Sequence, residues 1–201
     1  MYKFSKRTFD ILGAFFGILF LLPLFAVVGL IIVLTSNGGA FFKQTRVGRK
    51  GTLFKILKFR TMTVNAKNPG RQITTKGDKR ITRVGMLLRK TKIDELPQLF
   101  NILFGQMSFV GPRPEVPKYV LLYTTSQCKV LEVRPGITDL ASLEYRNEND
   151  LLLECENPEE KYINEIMPAK LALNIKYIDE RGFFYDLCLI FRTVFLLLKS
   201  D

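Results

Sequence analysis

Residues 11–34 read ILGAFFGILFLLPLFAVVGLIIVL, and no charged residue occurs between Asp10 and Lys43. About 20 consecutive apolar residues are enough to span the hydrocarbon core of a bilayer. A secretory signal peptide fits poorly, because the apolar stretch is too long and no small-residue cleavage site follows it. The segment therefore predicts a membrane-embedded helical element near the start of the chain.

Two features bear on how this segment enters the membrane. Pro23 lacks a backbone N–H and clashes with the carbonyl of Leu19, so we expect the helix to bend there. Basic residues, which favour the cytoplasmic side, flank both ends: Lys3, Lys6 and Arg7 before the segment, and Lys43, Arg46, Arg49 and Lys50 after it. A hairpin that leaves by the face it entered and a kinked helix that crosses once are both compatible with these residues. The pair Gly13 and Gly17 would let two half-helices, or two chains of a homodimer, approach closely.

The chain of 201 residues carries a formal net charge of +11, which is unevenly distributed. Residues 1–143 contain 23 Lys and Arg against 7 Asp and Glu, whereas residues 144–201 contain 7 against 12. A basic body of this kind favours anionic partners such as phosphates, acidic lipid headgroups or nucleic acid. Because the charge adjoins a bilayer segment and no nucleic-acid-binding motif occurs, we expect no nucleic acid among the partners.

The residue types that are missing restrict the chemistry. The chain has no histidine, which excludes Ser-His-Asp and Cys-His catalysis and every His-ligated metal site. Cys128, Cys155 and Cys188 are far apart, which argues against a disulfide framework and a structural zinc site. Catalysis must therefore use carboxylates, Lys, Arg, hydroxyls or Cys, with room for a hard metal ion bound through oxygen.

The stretch after the membrane segment predicts a hairpin and a polar loop. Residues 40–45 and 52–59 are rich in β-forming residues and flank a glycine-containing turn, which predicts a small β-hairpin. Residues 65–78 are polar and contain Asn, Gly, Pro and Lys, a composition typical of a surface loop.

Three helices are predicted further along the chain. Thr82 is a suitable N-cap for a helix through Lys90. Asp94 is a suitable N-cap for a second helix that Gly105 ends. Residues 183–199 form a final helix that is apolar nearly all round, either a core helix or one lying in the membrane interface.

The pair Asp94-Glu95 is the candidate centre of chemistry. Basic residues crowd its approach: Lys79, Arg80, Arg83, Arg89, Lys90 and Lys92. We expect this positive field to keep both carboxylates ionised, since opposite charges lower a carboxyl pKa. An ionised aspartate can attack phosphorus and form an acyl-phosphate. A divalent cation held by Asp94 and Glu95 would reduce repulsion between nucleophile and diphosphate, and Mg²⁺ suits such an all-oxygen site.

Each of these features also has a simpler reading. An Asp-Glu pair that opens a helix is commonly only a cap, and Arg113 between two prolines is compatible with an ordinary surface turn. The competing hypothesis is a membrane-anchored basic adaptor that binds anionic lipid without catalysis.

A long ungapped stretch resembles the signature of the bacterial sugar transferases, also called monotopic phosphoglycosyl transferases. It comprises residues 92–103, KIDELPQLFNIL, followed by Gly105 and residues 107–114, MSFVGPRP. Shorter matching pieces are residues 6–10 (KRTFD), 42–48 (FKQTRVG), 58–62 (KFRTM) and 134–138 (RPGIT). The resemblance covers nearly the whole chain and is weakest after Thr138.

The resemblance implies an α+β fold that is mostly helical, with a small β-hairpin and interfacial amphipathic helices. Residues 1–38 would be a re-entrant membrane helical hairpin with its break near Pro23, although Leu22 stands where relatives often have Ser. Residues 39–201 would be a membrane-associated catalytic domain on the cytoplasmic face of the bacterial inner membrane.

The resemblance also implies a ping-pong reaction. Asp94 would attack the β-phosphate of a UDP-sugar, release UMP, and pass the phosphosugar to a polyprenol phosphate, typically undecaprenyl phosphate. Glu95 would help to hold Mg²⁺ or handle the acceptor's proton. Phosphate or nucleotide would be bound by Lys58, Arg60, Arg89, Arg113 and Arg134. The segment after Thr138 departs from the family pattern, so the sugar is not implied, and within it Arg146 is expected to keep a ligand role. A transferase that passes only the sugar and releases UDP is an alternative, although no G-x-G-x-x-G loop is present.

Overall fold

A computed structural model describes residues 2–64, 78, 80–146, 148–153 and 157–199. Within these ranges the chain is mostly helical with two small two-stranded sheets, in agreement with the predicted class. The helices are α1 Tyr2–Thr35, α2 Arg83–Lys90, α3 Gln98–Leu103, α4 Pro117–Val120, α5 Leu140–Glu144, α6 Glu148–Leu153, α7 Pro158–Lys161, α8 Met167–Glu180 and α9 Phe183–Leu198. The strands are β1 Phe41–Val47, β2 Leu53–Phe59, β3 Ser108–Val110 and β4 Gly136–Thr138.

Helix α1 contains 34 residues and is long and apolar enough to cross a membrane. The helical conformation continues through Pro23, so the structure does not divide the segment into two helices at the predicted break. Within the most apolar 18-residue stretch of α1, only 11% is buried inside the protein, which leaves a broad apolar surface of the helix uncovered. A re-entrant path through the bilayer therefore stays a prediction, while the membrane-length helix itself is confirmed.

One side of α1 packs against the rest of the protein along most of its length. Ala14 lies in the first half of the helix and Phe25 and Ile32 in the second, and all three are buried in one hydrophobic cluster. A Cβ atom on Gly13 would lie 2.8 Å from the ring of Phe109, so this glycine serves close packing within the chain. A homodimer stays a prediction.

The predicted β-hairpin is present. Strands β1 and β2 pair antiparallel, with Phe41 opposite Phe59 and Val47 opposite Leu53. The turn between them includes Lys50 with a positive φ of 57° and Gly51 with a φ of 76°. Phe54, Ile56 and Phe59 are buried in the cluster that contains residues of α1, which fixes the hairpin against this helix.

Helix α2 follows the prediction, but α3 begins later than predicted. The side chain of Thr82 accepts a hydrogen bond from the Gly85 amide and caps α2, which ends at Lys90. Asp94 lies in a 3₁₀ turn, Ile93–Glu95, and the N-cap of α3 is Pro97. Asp94 is therefore not the N-cap of this helix. Gly105, with a φ of 81°, follows the end of α3 as expected.

A second hydrophobic cluster lies at the carboxyl side of the chain, where Leu171, Tyr177 and Leu189 from α8 and α9 are buried. Strands β3 and β4 pair in parallel beside it. In α9 the buried residues are Asp186 and Leu189, and the large apolar side chains that remain exposed are Phe184, Phe191, Val194, Phe195, Leu197 and Leu198. Of the two sequence alternatives for α9, this one-sided burial favours the interfacial helix over a core helix.

Polar contacts join the two ends of the chain. The carboxylate of Asp186 on α9 accepts hydrogen bonds from Tyr2, Lys6 and Tyr177 at distances of 2.9, 2.6 and 2.7 Å. The buried carboxylate of Asp10 accepts from the Ser108 hydroxyl and from the Phe109 amide. These contacts hold the start of α1 on the body that carries the candidate site. The predicted loop at 65–78 lies outside the described residues, apart from Asp78.

Candidate functional site

Glu95 is buried between two cations. Its Oε1 atom lies 2.8 Å from Lys58 Nζ and 2.6 Å from Arg113 Nη2. Burial by itself raises the pKa of Glu95, but the charges of Arg113 and Lys58 outweigh it and hold the pKa well below its ordinary value. Glu95 is therefore ionised and committed to these two partners.

Local structure explains how the two cations reach Glu95. Lys58 lies near the end of β2, which packs against the 3₁₀ turn that carries Glu95. Arg113 lies between Pro112 and Pro114, whose rings fix the backbone φ on either side of it. Tight packing places this turn, since a Cβ atom on Gly111 would lie 2.4 Å from the Arg134 carbonyl oxygen. The sequence prediction that Lys58 and Arg113 belong to the Asp94-Glu95 site is supported by this geometry.

Asp94 has a different environment from Glu95 although it is also buried, with 7% of its surface exposed. Its Oδ1 atom is buried and has no hydrogen-bond partner within the described ranges. Burial and the adjacent charge of Glu95 raise the pKa of Asp94, against the opposing charges of Lys58, Lys92 and Arg89. The surrounding cations do lower the pKa of Asp94, as expected from the sequence, but its desolvation and the charge of Glu95 outweigh them, so the net shift is upward.

Two more basic residues lie within electrostatic range of Asp94. Arg89 on α2 donates from Nε to Thr61 Oγ1 at 2.9 Å, and its charge lowers the pKa of Asp94. Lys92 has a left-handed backbone with a φ of 56° and directly precedes the 3₁₀ turn. Arg89 was predicted as a site residue, whereas the contribution of Thr61 was not. Thr61 is a buried polar residue within a matched family segment, and that position was its only sequence signal.

Three other residues predicted to bind phosphate or nucleotide do not contact the Asp94-Glu95 pair. Two of them donate hydrogen bonds to backbone carbonyls, and the third has no partner among the described residues. Arg60 donates to the Phe41 carbonyl at 3.2 Å. Arg134 donates from Nε to the carbonyl of Gly105 at 2.9 Å, just past the end of α3. Arg146 is exposed and makes no hydrogen bond to another described residue. The structure does not bring these three arginines to the Asp94-Glu95 pair.

The fit of a metal ion depends on which oxygen atoms remain available. Among the described residues no group of three or more His, Cys, Asp or Glu side chains is arranged to hold a metal ion. Glu95 is occupied by Lys58 and Arg113, whereas Oδ1 of Asp94 is unpaired. Mg²⁺ commonly binds one or two carboxylates and completes its shell with water and substrate phosphates. The donor set thus fits an Mg²⁺ ion held by Asp94 together with a substrate, with Glu95 less available than predicted.

The site combines a buried carboxylate with several surrounding cations. One carboxylate oxygen of Asp94 is desolvated and accepts no hydrogen bond from the described residues, so no donor competes for its lone pairs when the carboxylate is ionised. Lys58, Arg89, Lys92 and Arg113 supply positive charge around it, which suits an incoming phosphate group. Glu95 prevents two of these cations from pairing with Asp94 itself. The site can therefore attract a phosphoryl group to a nucleophilic carboxylate.

Comparison with known proteins gives a family match and several named relatives. A family model described as bacterial sugar transferase matches residues 1–200. The UDP-galactose-lipid carrier transferase of Erwinia amylovora is 35% identical, over 99% of this chain and 41% of that protein. The UDP-glucose:undecaprenyl-phosphate glucose-1-phosphate transferase of Caulobacter vibrioides is 36% identical, over 98% of this chain and 70% of that protein.

A third relative is the exopolysaccharide production protein ExoY of Rhizobium meliloti, which is 34% identical over 94% of this chain and 84% of its own length. The chain thus spans less than half of the Erwinia protein and most of ExoY. Since all three matches extend over nearly the whole chain, they include the membrane helix as well as the Asp94-Glu95 turn. The resemblance found in the sequence is confirmed by these comparisons.

Proposed function

Because the chain belongs to the bacterial sugar transferase family, we propose that it transfers a sugar-1-phosphate from a UDP-sugar to a polyprenol phosphate such as undecaprenyl phosphate. Asp94 is the nucleophile in this proposal, and UMP is the first product. The observation that carries it is the buried, unpaired Oδ1 atom of Asp94 beside the ion-paired Glu95. Burying a charged carboxylate without a partner costs free energy, and a catalytic role gives a reason for that cost.

The first half-reaction uses the ionised form of Asp94. One carboxylate oxygen forms a bond to the β-phosphorus of the UDP-sugar, while the bond from that phosphorus to the bridging oxygen breaks. The electron pair leaves with that oxygen as part of UMP, and the phosphosugar remains bonded to Asp94 as an acyl-phosphate. Lys58, Arg89 and Arg113 stabilise the negative charge that develops on the phosphoryl oxygens.

The second half-reaction restores the carboxylate. An oxygen of the polyprenol phosphate attacks the same phosphorus, and the bond from phosphorus to Asp94 breaks. The product is a polyprenol diphosphate sugar, and Asp94 is ready for the next turnover. Glu95 keeps Lys58 and Arg113 in place through both steps, so that neither cation forms a static ion pair with Asp94.

An Mg²⁺ ion fits this proposal through Asp94 and the substrate phosphates. When bound, it would supply positive charge that offsets repulsion between the carboxylate and the diphosphate. The protein groups already described orient the two substrates around it. Chelation with EDTA should therefore lower the rate of UMP release, and added Mg²⁺ should restore it.

We also propose that α1 is re-entrant and that the body faces the cytoplasm at the inner membrane. Support comes from packing at both ends of α1, since Asp10 and Ile32 are both buried against the same body. A helix that crossed the bilayer once would carry its second half away from a body on one side. The exposed apolar side chains of α1 would then contact lipid.

The test is direct. Purified protein in detergent or nanodiscs is incubated with UDP-sugars and Mg²⁺, and UMP, UDP and a covalent phosphosugar adduct are measured. We expect UMP and an adduct at Asp94, and loss of both in Asp94→Asn. Asp179→Asn, which changes an exposed carboxylate paired with Lys129, is the matched control and should remain active.

Each other outcome selects an alternative. Release of UDP in place of UMP would indicate transfer of the sugar alone. Absence of any nucleotide product across the UDP-sugars, together with binding to anionic lipid, would favour the non-catalytic adaptor. An adduct on another residue would disprove the role of Asp94.

A further inference from the structure

The guanidinium of Arg46 on β1 is held against the turn that carries Arg113. Its Nη1 atom donates to the Pro114 carbonyl at 3.1 Å and to Glu115 Oε1 at 3.2 Å. Its Nη2 atom donates to Gln44 Oε1 at 2.8 Å. One arginine on the hairpin thus contacts both the backbone and a side chain of the residues that follow Arg113.

The carboxylate of Glu115 is fully engaged by its neighbours. Oε1 accepts from Arg46 and from the Val116 amide at 2.8 Å, and Oε2 accepts from the Tyr162 hydroxyl at 2.5 Å. The Glu115 carbonyl accepts from the Val47 amide at 2.9 Å. The residue is therefore anchored to the hairpin on one side and, through Tyr162, to the carboxyl-terminal cluster on the other.

The hydrogen bonds of Glu115 determine which carboxylate Arg113 can pair with. Glu115 is the acidic residue nearest to Arg113 along the chain, and a free carboxylate there would compete with Glu95 for its guanidinium. Arg46 and Tyr162 use both oxygens of Glu115, which leaves Arg113 to pair with Glu95 at 2.6 Å. The positive charges of Arg46 and Arg113 also interact unfavourably, since the charge of Arg113 lowers the pKa of Arg46.

The hairpin provides the geometric link. Paired residues on antiparallel strands point to the same side of the sheet, and residues two apart on one strand share a face. Arg46 pairs with Phe54, and Phe54 shares its face with Lys58, four residues along β2. One face of one hairpin therefore presents Lys58 to Glu95 and Arg46 to the turn of Arg113, so both cations on Glu95 depend on the same element.

We propose that Arg46 is a positioning residue, which holds the Pro112–Pro114 turn and Glu115 so that Arg113 pairs with Glu95 beside the nucleophile. This inference rests on the proposed function and assigns a role to the segment 42–48, which that function leaves unexplained. Arg46 makes no contact with Asp94 or Glu95 among the hydrogen bonds of the described residues. It acts through Arg113.

The first experiment compares single variants. Arg46→Gln and Arg46→Lys should each lower the rate of phosphosugar adduct formation, Arg46→Gln by up to about 100-fold, since small displacements of a binding group have effects of that size. Arg46→Lys keeps the charge but cannot donate in the fork geometry to Gln44, Pro114 and Glu115 together, so it should not restore the rate. Lys43→Gln removes an exposed charge from the same strand and is the matched control, expected to behave as wild type.

The second experiment is a double-mutant cycle with Arg113→Lys. If Arg46 acts through Arg113, adding Arg46→Gln to Arg113→Lys should cost much less than Arg46→Gln costs in the wild type. If the two rate effects multiply, Arg46 acts independently of Arg113 and the inference is wrong. A general loss of folding caused by Arg46→Gln would lower the rate by the same factor in both backgrounds. The two effects would then also multiply, and this result too would count against the inference.

Hydrogen exchange provides a readout that needs no turnover. Arg46→Gln should increase deuterium uptake in peptides covering residues 112–120, where the Val116 amide bonds Glu115, while peptides covering 83–104 stay unchanged. Unchanged exchange at 112–120 would overturn the inference even if activity fell. Because the measurement does not require a substrate, it tests the positioning network separately from the proposed reaction, which is tested by UMP release and adduct formation at Asp94 in the wild-type protein.

Discussion

Arg113 Nη2 lies 2.6 Å from Glu95 Oε1, and this ion pair leaves the neighbouring carboxylate of Asp94 without a partner on its Oδ1 atom. The pKa values of two adjacent acidic residues are therefore shifted in opposite directions. The pKa of Glu95 is held well below its ordinary value by two cations, while burial raises the pKa of Asp94. This difference separates a charge that organises the site from a carboxylate that is available to react.

Glu95→Gln should damage both stability and activity. Removing one partner of a buried ion pair leaves Lys58 and Arg113 uncompensated, which typically costs about 3 kcal/mol of unfolding free energy. The two cations would then be free to pair with Asp94, so adduct formation should fall on the order of 100-fold, as on loss of an electrostatic catalytic group. Chemical denaturation and adduct formation measure the two effects. Glu165→Gln, at an exposed position, should change neither, and a fully active Glu95→Gln would contradict the proposed division of roles.

Asp94→Asn should make the protein more stable at neutral pH. The folded-state pKa of Asp94 is raised above the ordinary value of 3.8, so the native state binds the proton more tightly than the unfolded state. The free energy of unfolding of the wild type therefore decreases as the pH rises from 3.8 to the raised pKa of Asp94. Above that pKa it stays at the lower value. The variant lacks this loss, so its melting temperature should exceed that of wild type at pH 7.

The advantage of Asp94→Asn should shrink as pH approaches 3.8. We expect a rise of a few degrees at pH 7, since about 1 kcal/mol shifts the melting temperature of a chain of this size by roughly 2–4 °C. Thermal unfolding at several pH values measures it, with Asp179→Asn as control. A melting temperature lower than wild type at pH 7 would argue against a buried, unpaired charge.

Gly85→Ala should be strongly destabilising. A Cβ atom at this position would lie 2.1 Å from the carbonyl oxygen of Thr61, a backbone atom that cannot move aside cheaply. Such overpacking typically costs about 1–3 kcal/mol, and α2, which carries Arg89, would shift. Chemical denaturation measures the loss. Gly39→Ala, where nothing lies within 4 Å of the added Cβ, should be close to neutral, and equal stabilities for the two variants would refute the packing explanation.

The re-entrant path of α1 predicts that both of its ends can be labelled from one side of the membrane. Lys3→Cys and Asn37→Cys lie at exposed positions at its two ends. In a background without the native cysteines, an impermeant maleimide should label both variants in inverted inner-membrane vesicles and neither in intact spheroplasts. Labelling of the two positions from opposite sides would show that the helix crosses the bilayer once.

Much of the architecture was determined locally and was therefore predictable. The apolar run 11–34 has no charge to place in water, so it had to form a membrane-length helix. Thr82 and Gly105 act on backbone groups within a few residues of themselves, and the β-rich stretches of the hairpin are separated by a short turn. These features depend on neighbouring residues alone. Family motifs also indicated the Asp94-Glu95 pair, Lys58 and Arg113.

Tertiary structure alone decided how those residues are used. The sequence placed many cations near Asp94 and so predicted a lowered pKa, but burial by distant segments dominates and raises it. It placed Arg134 among the ligands, whereas the fold directs that guanidinium to the Gly105 carbonyl. Desolvation and long-range hydrogen bonds depend on which segments pack together, and short-range sequence patterns contain no direct record of that packing. The sequence by itself thus determined the elements and the candidate pair, and only the packed structure decided that Glu95 is paired with cations while Oδ1 of Asp94 has no partner among the described residues.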